Sequence, residues 1–296
     1  MDIKNQPLVY IIILTWNRRE DTVACLESLS QVDYPKFQII LVDNASQDDT
    51  VAVIQAQFPQ VKVILNLKNL GFAGGNNVGI QYALQHGAEY VLLLNNDTEV
   101  DIDLLTHLVE ACHLEQSIKI AIPKIYYHSN PQRIWSAGAQ WRYFPPRVTL
   151  IGLDQPDSDI YNQPCLVEYA TGCAMLIHRT VFDTVGLLDD RFFMYHEDYE
   201  FCHRVQQGKI QIAYVPLAIV WHKIAQSTGE NSPTRWYYLG QSTMLFYRKL
   251  YRYYQFPLFI FLFWVTLREL LKGRPMVIKP FIHGLKSGAM VFVSAT

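Results

Sequence analysis

Short apolar runs, each separated from the next by about one helix length, dominate the first part of the chain. Four of them are rich in β-branched residues or leucine, over residues 9–14, 37–42, 61–65 and 90–94, and those at 9–14 and 90–94 are apolar at every position. Runs of this kind are typical of strands that are covered on both faces. The intervening segments each have room for a helix, so the pattern predicts βαβ units and a parallel sheet.

Helical spacing and capping residues mark these intervening segments. Ser46, three residues before Asp49, resembles the opening of a capping box, Gly87 is a typical helix end, and Asp101 is a candidate cap for a later helix. The patterns predict helices over residues 19–30, 50–58 and 76–86, and one that contains Leu104, Leu105 and Leu108.

The periodic pattern changes after residue 125. Residues 126–165 carry prolines and aromatics without a clear period. The pattern beyond them predicts a strand over residues 167–177, broken by small residues at 171–173, a helix over 198–206 and a strand over 211–215. Because no repeat or linker divides the chain, we expect one continuous α/β domain over residues 1–230, in which a second half (126–230) is built onto the first (1–125).

Residues 231–296 form a C-terminal segment of different composition, which we expect to be helical. Residues 256–267 are apolar apart from Pro257 and Thr266, a run shorter than the roughly 20 residues that span a bilayer. Basic residues are frequent between 235 and 286, where Glu269 is the one acid. This composition suits a membrane surface. A helix packed on the domain with a solvated basic face is the alternative.

Composition excludes several classes of protein. Half of the 296 residues are apolar and 13% are aromatic, which predicts a folded chain. The net charge of −2 argues against a nucleic-acid-binding protein. The five cysteines include no C-x-x-C pair, so they indicate neither a zinc site nor a disulfide framework, and they favour a reducing compartment. The first ten residues do not have the pattern of a signal peptide.

Polar residues follow each of the first four predicted strands. They are Thr15, Asn17 and Arg18 after the first, Asp43 after the second, Gly71, Gly74, Gly75 and Asn76 after the third, and Asn95, Asn96 and Asp97 after the fourth. Ligands of open parallel sheets bind outside the carboxyl ends of the strands, so these groups are candidates for one site. Each taken alone has a simpler interpretation as a turn or cap residue.

Two further polar elements lie in the second half of the domain, residues 126–230. Glu197 and Asp198 stand at the start of a predicted helix, and His222 follows an apolar run. Acids at a helix start often only complement the helix dipole, and a lone histidine is often a core residue. These alternatives stay open on the pattern alone.

The combined motifs resemble those of inverting glycosyltransferases of family 2, which have the GT-A fold, and in particular the rhamnosyltransferase-like branch. The resemblance spans roughly residues 8–222 and rests on ILTWNRRE, ILVDNASQDDT, NLGFAGGNNVG, LLLNNDTEV, TGCAMLIHR, FFMYHEDYEFCHR and WH. It implies an α/β fold in which a Rossmann-like, mostly parallel sheet is flanked by helices, with residues 1–125 as the nucleotide-binding half and residues 126–230 as the acceptor-side half. It also implies a C-terminal helical segment that associates with membranes.

The resemblance implies roles for the matching residues. Asp97 would be the metal-binding acid of a D-x-D-like motif, His222 would complete the metal site, and Asp198 would be the general base. Asn95 stands where many relatives have a first acid. Gly172 and Glu197 would lie beside the donor or acceptor sugar. The nucleotide-sugar would lie against Thr15, Asn17, Arg18, Asp43, Asn69, Gly71, Gly74, Asn95 and Asn96.

The implied reaction is transfer of a sugar, with inversion, from a nucleotide-sugar such as dTDP-rhamnose or a UDP-sugar to a hydroxyl of a glycan or lipid-linked glycan. Mn²⁺ or Mg²⁺ would be the cofactor. We expect a cytoplasmic protein that is peripheral on the inner face of the cell membrane. A non-catalytic nucleotide-sugar-binding subunit on the same fold is the alternative. An NAD-dependent oxidoreductase is disfavoured because G-x-G-x-x-G does not follow the first strand.

Overall fold

The computed structural model describes residues 6–224 and 231–291. Its first part alternates strands and helices, as the hydrophobic pattern predicts. The elements are β1 (Val9–Thr15), α1 (Arg19–Leu29), β2 (Phe37–Asp43), α2 (Thr50–Gln57), β3 (Lys62–Leu65), α3 (Gly71–Gln85), β4 (Tyr90–Asn95), β5 (Thr98–Val100) and α4 (Leu104–Leu114).

The second part is richer in short strands and ends in three helices. Its elements are β6 (Ile118–Tyr127), β7 (Asn130–Ser136), β8 (Ala139–Tyr143), β9 (Pro146–Leu150), β10 (Gln155–Pro156), β11 (Cys165–Val167), β12 (Ala174–His178), α5 (Arg179–Val185), α6 (Glu197–Gln207), β13 (Gln211–His222), α7 (Pro233–Leu250), α8 (Gln255–Leu271) and α9 (Ile278–Val291).

One mixed sheet connects the two parts. Strands β3, β2, β1 and β4 are parallel neighbours in that order. Side chains of α1 and α4 pack on one face of this sheet and those of α3 and α6 on the other, which explains why its central strands are apolar throughout. The parallel strands end at a common edge, which carries Thr15, Asp43 and Asn95.

The sheet continues from β4 through β12 to β6. Strand β12 is antiparallel to both neighbours, whereas β13 runs parallel to β6 and antiparallel to β5. The pairing of β13 with β5 places His222 opposite Thr98. His222 therefore lies beside Asp97, which precedes it by 125 residues in the chain.

One predicted break is confirmed and one predicted boundary is wrong. The predicted strand over residues 167–177 is broken at Thr171–Cys173 as expected, and the break extends back to the end of β11 at Val167, with β12 beginning at Ala174. Helix α3 begins at Gly71 rather than at residue 76, and Asn76 lies inside it with its amide donating to the Phe72 carbonyl at 2.9 Å. Asn76 is therefore not at a helix N-terminus.

Residues 126–165 form the strands β7 to β10, for which the sequence shows no period. These strands are two to seven residues long, too short to establish an alternation. A buried lysine, Lys124, ties the region to β6 through Asp157, whose Oδ1 lies 3.1 Å from its Nζ.

The C-terminal helices pack on residues of the second half of the domain (126–230). Helices α7 and α9 approach closely because glycines face the neighbouring helix: a β-carbon at Gly240 would overlap the Phe281 carbonyl oxygen, and one at Gly284 that of Tyr237. Within residues 6–224 and 231–291, no helix combines the length and apolar character needed to cross a bilayer. One face of α8 nevertheless exposes large apolar side chains, among them Phe259 and Phe263.

Candidate active site

The carboxyl ends of β1 and β2 form a polar corner. Asn17 has a φ of +52°, and its Oδ1 accepts a hydrogen bond from the Gln47 N–H at 2.6 Å. Asp43 is buried; its Oδ2 accepts from the Ser46 N–H at 3.0 Å, and its Oδ1 has no hydrogen-bond partner among the described residues. An unpaired buried acceptor is costly unless a ligand satisfies it, so this oxygen indicates a binding function.

The glycine-rich segment before and within α3 is held by Asn44, which sequence reasoning did not single out. The Asn44 amide donates to the Gly71 carbonyl at 2.9 Å and to Asn69 Oδ1 at 3.2 Å. Gly71 has a φ of +74°, and a β-carbon there would overlap the carbonyl oxygen of Phe193. Glycine at this position therefore lets α3 lie directly against the segment that leads into α6.

The loop after β4 contains Asn95, Asn96 and Asp97. The Asn96 amide donates to the hydroxyls of Thr15 and Thr22 at 3.3 and 3.0 Å, and these hydroxyls lie 2.9 Å from each other. This network ties the loop after β4 to β1 and to α1. Asn96 and Thr15 thus have an internal structural role, which leaves Asp97 and Asn95 facing the cavity described below.

Asp97 and His222 form a buried pair. Asp97 Oδ1 lies 3.1 Å from His222 Nε2, and the Trp135 ring packs edge-on against the imidazole with ring centroids 4.5 Å apart. Burial disfavours the charged imidazolium, but neighbouring Cys173 and Asp97 outweigh burial and raise the pKa of His222 to about 10. Burial likewise opposes charge on Asp97, yet the hydrogen bond and charge of His222 lower its pKa.

This pair has the donor set of a divalent cation site. A carboxylate oxygen and an imidazole nitrogen so close together can contact one ion, and Mn²⁺ accepts both types of ligand. Metal binding would displace the imidazole proton. Among the described residues no group of three or more His, Cys, Asp or Glu side chains could hold a metal. A divalent ion held by this pair would need further ligands, and phosphate oxygens and water are the usual ones for such ions.

Asp198, in the first turn of α6, is the second acid of the site. Its Oδ2 accepts from the Gly172 N–H at 2.9 Å and its Oδ1 from the Tyr199 N–H at 2.8 Å. Burial raises the pKa of Asp198 to about 6, although both N–H groups favour the carboxylate. A carboxyl of this kind is ionised at pH 7 and can accept a proton, as a general base must.

Glu197 differs from its neighbour in environment. Its side chain is buried, and its Oε2 has no hydrogen-bond partner among the described residues. Burial, together with the nearby Asp198 charge, raises the pKa of Glu197 well above its ordinary value. This favours the protonated acid, which can donate a hydrogen bond to a sugar hydroxyl.

The backbone just before α6 is strained. Tyr195 and His196 have φ values of +72° and +64°, a region that non-glycine residues rarely adopt. His196 Nε2 lies 3.3 Å from Thr243 Oγ1 of α7, and burial lowers the pKa of His196 to about 4. Strain of this kind is concentrated at functional sites, and here it lies immediately before Glu197 and Asp198.

A cavity of about 450 Å³ joins these groups. Of the residues predicted from sequence, those that line it are Asn95, Asp97, Gly172, Glu197, Asp198 and His222. Those that do not line it are Thr15, Asn17, Arg18, Asp43, Asn69, Gly71, Gly74 and Asn96. Most of this second group lies around the polar corner at the ends of β1 and β2 and the start of α3, with Arg18 close enough for its charge to favour ionised Asp97.

Arg235 of α7 also lines the cavity, and sequence reasoning missed it as a site residue. No carboxylate among the described residues forms an ion pair with it, so its charge is available to an anionic ligand. The basic character of the C-terminal segment was the one sequence signal that included it.

Comparison with known proteins identifies the family. The model of the family described as "Glycosyl transferase family 2" matches residues 10–186. A hexosyltransferase of low-salt glycan biosynthesis, Agl10 of Haloferax volcanii, is 30% identical over 68% of this chain, which spans 62% of that relative's length. The dTDP-rhamnosyl transferase RfbF of Shigella flexneri is 23% identical, with 81% of this chain and 80% of RfbF covered.

A further relative is the N-acetylglucosaminyl-diphospho-decaprenol L-rhamnosyltransferase of Mycobacterium tuberculosis, 24% identical over 80% of this chain and 82% of its own length. The fold is similar to that of GalNAc-T7, solved with UDP, GalNAc and Mn²⁺, with a TM-score of 0.64 and 17% identity over 82% of this chain and 48% of that one. A mannosyltransferase from Pyrobaculum calidifontis, solved with GDP-Man and Mn²⁺, is similar in fold with a TM-score of 0.59 and 15% identity; the likeness covers 97% of this chain and 76% of that one. These likenesses confirm the expected GT-A architecture, and with the family match they establish that the chain is a glycosyltransferase that belongs to glycosyl transferase family 2.

Proposed function

We propose that this glycosyltransferase moves a sugar, with inversion of the anomeric carbon, from a nucleotide-sugar to a hydroxyl of a glycan or lipid-linked glycan. The observation that carries the proposal is that Asp198 and the Asp97–His222 pair line one cavity. A diphosphate leaving group and an acceptor hydroxyl both need assistance, and this cavity has a group for each.

The nucleoside would bind at the polar corner beside the cavity. The unpaired Oδ1 of Asp43 can accept hydrogen bonds from a base or ribose. Asn17 and the segment from Asn69 to Gly74 would line the same nucleotide. From this corner the diphosphate would extend towards Asp97, where the charge of Arg18 acts and where Arg235 lines the same cavity.

Asp97 and His222 would hold a divalent cation, Mn²⁺ or Mg²⁺. Such an ion, when bound, stabilises the charge that develops on the departing diphosphate. Trp135 packs against the His222 ring and Cys173 lies beside it, so the imidazole is held in place by its neighbours. Asn95 would contribute neutral hydrogen bonds to sugar hydroxyls or water at this end of the cavity.

Asp198 would remove the proton of the acceptor hydroxyl as its oxygen attacks the anomeric carbon. In that single displacement the new C–O bond forms while the bond from the anomeric carbon to the diphosphate oxygen breaks. The Gly172 and Tyr199 N–H groups hold the carboxylate in one orientation. A positioned base of this type typically contributes about 10²–10⁴ in rate. Protonated Glu197 would bind a hydroxyl of the donor or acceptor sugar.

The relatives suggest the substrate class. The names of the Shigella flexneri and Mycobacterium tuberculosis relatives support rhamnose as the transferred sugar, and the former supports dTDP-rhamnose as donor. The latter name supports an acceptor sugar linked through a diphosphate to a polyprenol. A UDP-sugar is the second donor class to test.

A lipid-linked acceptor would require contact with a membrane. The face of α8 formed by Phe256, Phe259, Phe263 and Leu267 is exposed, at 46 to 73% of the residue surface. These positions recur every three or four residues, so they form one side of the helix. Basic residues lie nearby in sequence, at Arg252, Lys272, Arg274 and Lys279. We propose that this side of α8 lies in the interface of an anionic bilayer.

The test is a donor and acceptor screen with purified full-length protein and Mn²⁺. We expect release of nucleoside diphosphate from one nucleotide-sugar when a lipid-diphosphate-linked saccharide is supplied, and a product whose anomeric configuration, measured by NMR, is opposite to that of the donor. A product with retained configuration would refute inversion. Tight nucleotide-sugar binding without transfer to any acceptor would instead support a non-catalytic binding subunit.

A further inference from the structure

A second cavity, of about 460 Å³, lies next to the active site between β9 and the C-terminal helices. Its lining is mostly apolar and includes Trp236, Phe261 and Trp264. Leu150, His196, Tyr199 and Leu239 line both this cavity and the active-site cavity, so the two adjoin. No residue of the strands β1 to β4 lines it, so this cavity is separate from the polar corner at the ends of β1 and β2.

Two arginines enter this otherwise apolar cavity. Arg147 of β9 and Arg268 of α8 both lie over the ring of Trp264, with guanidinium carbons 4.2 and 4.6 Å from the ring centroid. Arg268 is paired with Glu269 at 2.6 Å. Arg147 donates to the Pro145 carbonyl at 3.2 Å, and no carboxylate among the described residues pairs with it.

No carboxylate in the described part of the chain therefore compensates the charge of Arg147. Burial, and then repulsion from Arg268, lower the pKa of Arg147, which means that its surroundings disfavour the cation. Two guanidinium groups that approach each other in an apolar cavity have the character of an anion site, since arginine binds phosphate oxygens with paired, directional hydrogen bonds. The apolar walls add affinity for a hydrocarbon group attached to that anion.

The position of α8 fits a ligand that comes from a bilayer. One side of this helix contributes Phe261, Trp264 and Arg268 to the cavity, while another side exposes Phe259 and Phe263. A lipid held in a membrane beneath the exposed side would need to pass only this helix to reach the cavity. The four residues that line both cavities form a shared wall, and Asp198 lines the active-site cavity on its other side.

We propose that this cavity binds the lipid-diphosphate end of the acceptor: Arg147 and Arg268 bind the diphosphate, the aromatic walls contact the first prenyl units, and the attached sugar extends past the shared wall to Asp198. The inference rests on the proposed function for its meaning in catalysis. It also makes a binding prediction that does not require turnover.

The binding test uses geranylgeranyl diphosphate in detergent as the probe and the fluorescence of the cavity tryptophans as readout. We expect saturable binding that geranylgeraniol and inorganic diphosphate each reproduce only weakly. Arg147→Gln and Arg268→Gln should each weaken binding about tenfold or more, because each removes a charge-assisted hydrogen bond. Arg179→Gln is the control, an exposed arginine at the start of α5 that lines neither this cavity nor the active-site cavity.

Equal affinity of wild type, Arg147→Gln and Arg268→Gln for the probe would overturn the inference. So would complete displacement of the probe by vesicles of anionic phospholipid, because the site would then recognise headgroups rather than an acceptor. Circular dichroism melting of each variant shows whether it is folded. Arg147→Lys, which keeps the charge but loses the paired donors, should fall between wild type and Arg147→Gln.

The kinetic test separates this inference from the proposed function. With a lipid-diphosphate-linked saccharide, Arg147→Gln should raise the acceptor KM about tenfold or more and leave the donor KM unchanged. With the benzyl glycoside of the same sugar, which has no diphosphate, the variant should match wild type. An equal rise for both acceptors would contradict the assigned contact, whereas absence of transfer by the wild type would refute the proposed function and leave the binding result standing.

Discussion

The role of Asp198 makes the most specific kinetic prediction. Asp198→Asn preserves the shape of the side chain and an acceptor for the Gly172 N–H, but it cannot take a proton. We expect kcat to fall by about 10²–10⁴-fold, the usual contribution of a positioned base. Nucleotide-sugar affinity should be unchanged, because Asp198 is not among the residues proposed to hold the nucleotide.

The same role of Asp198 predicts how kcat of the wild type depends on pH. The pKa of Asp198 is raised to about 6, and the ionised form is the one that acts as base. Activity should therefore be present above pH 6 and be lost as the pH falls through it, with kcat about tenfold below its plateau at about pH 5. Asp198→Asn should lose this limb of the profile.

The assay is steady-state release of nucleoside diphosphate between pH 5 and 8, with acceptor saturating. Asp190→Asn is the matched control, since Asp190 is exposed and lies shortly before the same helix. The reasoning is refuted if Asp198→Asn turns over at the wild-type rate, or if its residual activity keeps the same acid limb as the control.

Three further predictions concern binding, membrane contact and stability. Asp43→Ala should weaken nucleoside diphosphate binding about tenfold in calorimetry, because it removes the unpaired acceptor; unchanged affinity would exclude Asp43 from the nucleotide site. Phe259→Ser should reduce co-sedimentation with anionic vesicles, whereas Leu67→Ser, an exposed loop control, should not; equal binding would argue against α8 as the contact. Gly71→Ala should lower the free energy of unfolding in urea by about 1–3 kcal/mol more than Gly87→Ala, since both have positive φ but only Gly71 is crowded; equal losses would mean that Phe193 gives way.

Sequence patterns were sufficient for the parallel part of the fold. The runs at residues 9–14 and 90–94 are continuous and apolar because β1 and β4 are covered on both faces. The hydrophobic pattern alone was therefore enough to assign them as strands. The start of α3 could not be predicted, because a run of glycines is unusual in a helix. Glycine is needed at the start of α3 because of a tertiary contact, the close approach of Gly71 to Phe193.

Only part of the candidate site could be predicted from the sequence. Polar residues at strand ends indicated where a ligand would bind, since the edge of a parallel sheet gathers them. The pairing of Asp97 with His222 depends on the alignment of β13 with β5, a contact over 125 residues that no local pattern encodes. Resemblance to a family supplied that pairing. Arg235 and Arg147 are a different case, because their significance comes from unpaired charge in a cavity, which only the packed structure reveals.

The central claim is that Asp97 and His222 hold the diphosphate through a cation while Asp198 acts across the same cavity. Calorimetric titration of dTDP and UDP, with and without Mn²⁺, into wild type, Asp97→Ala and Asp198→Asn tests it most directly. The account predicts that Mn²⁺ strengthens binding of one nucleotide to wild type and to Asp198→Asn, and that Asp97→Ala loses this enhancement. Enhancement that survives in Asp97→Ala, or that disappears in Asp198→Asn alone, would contradict it.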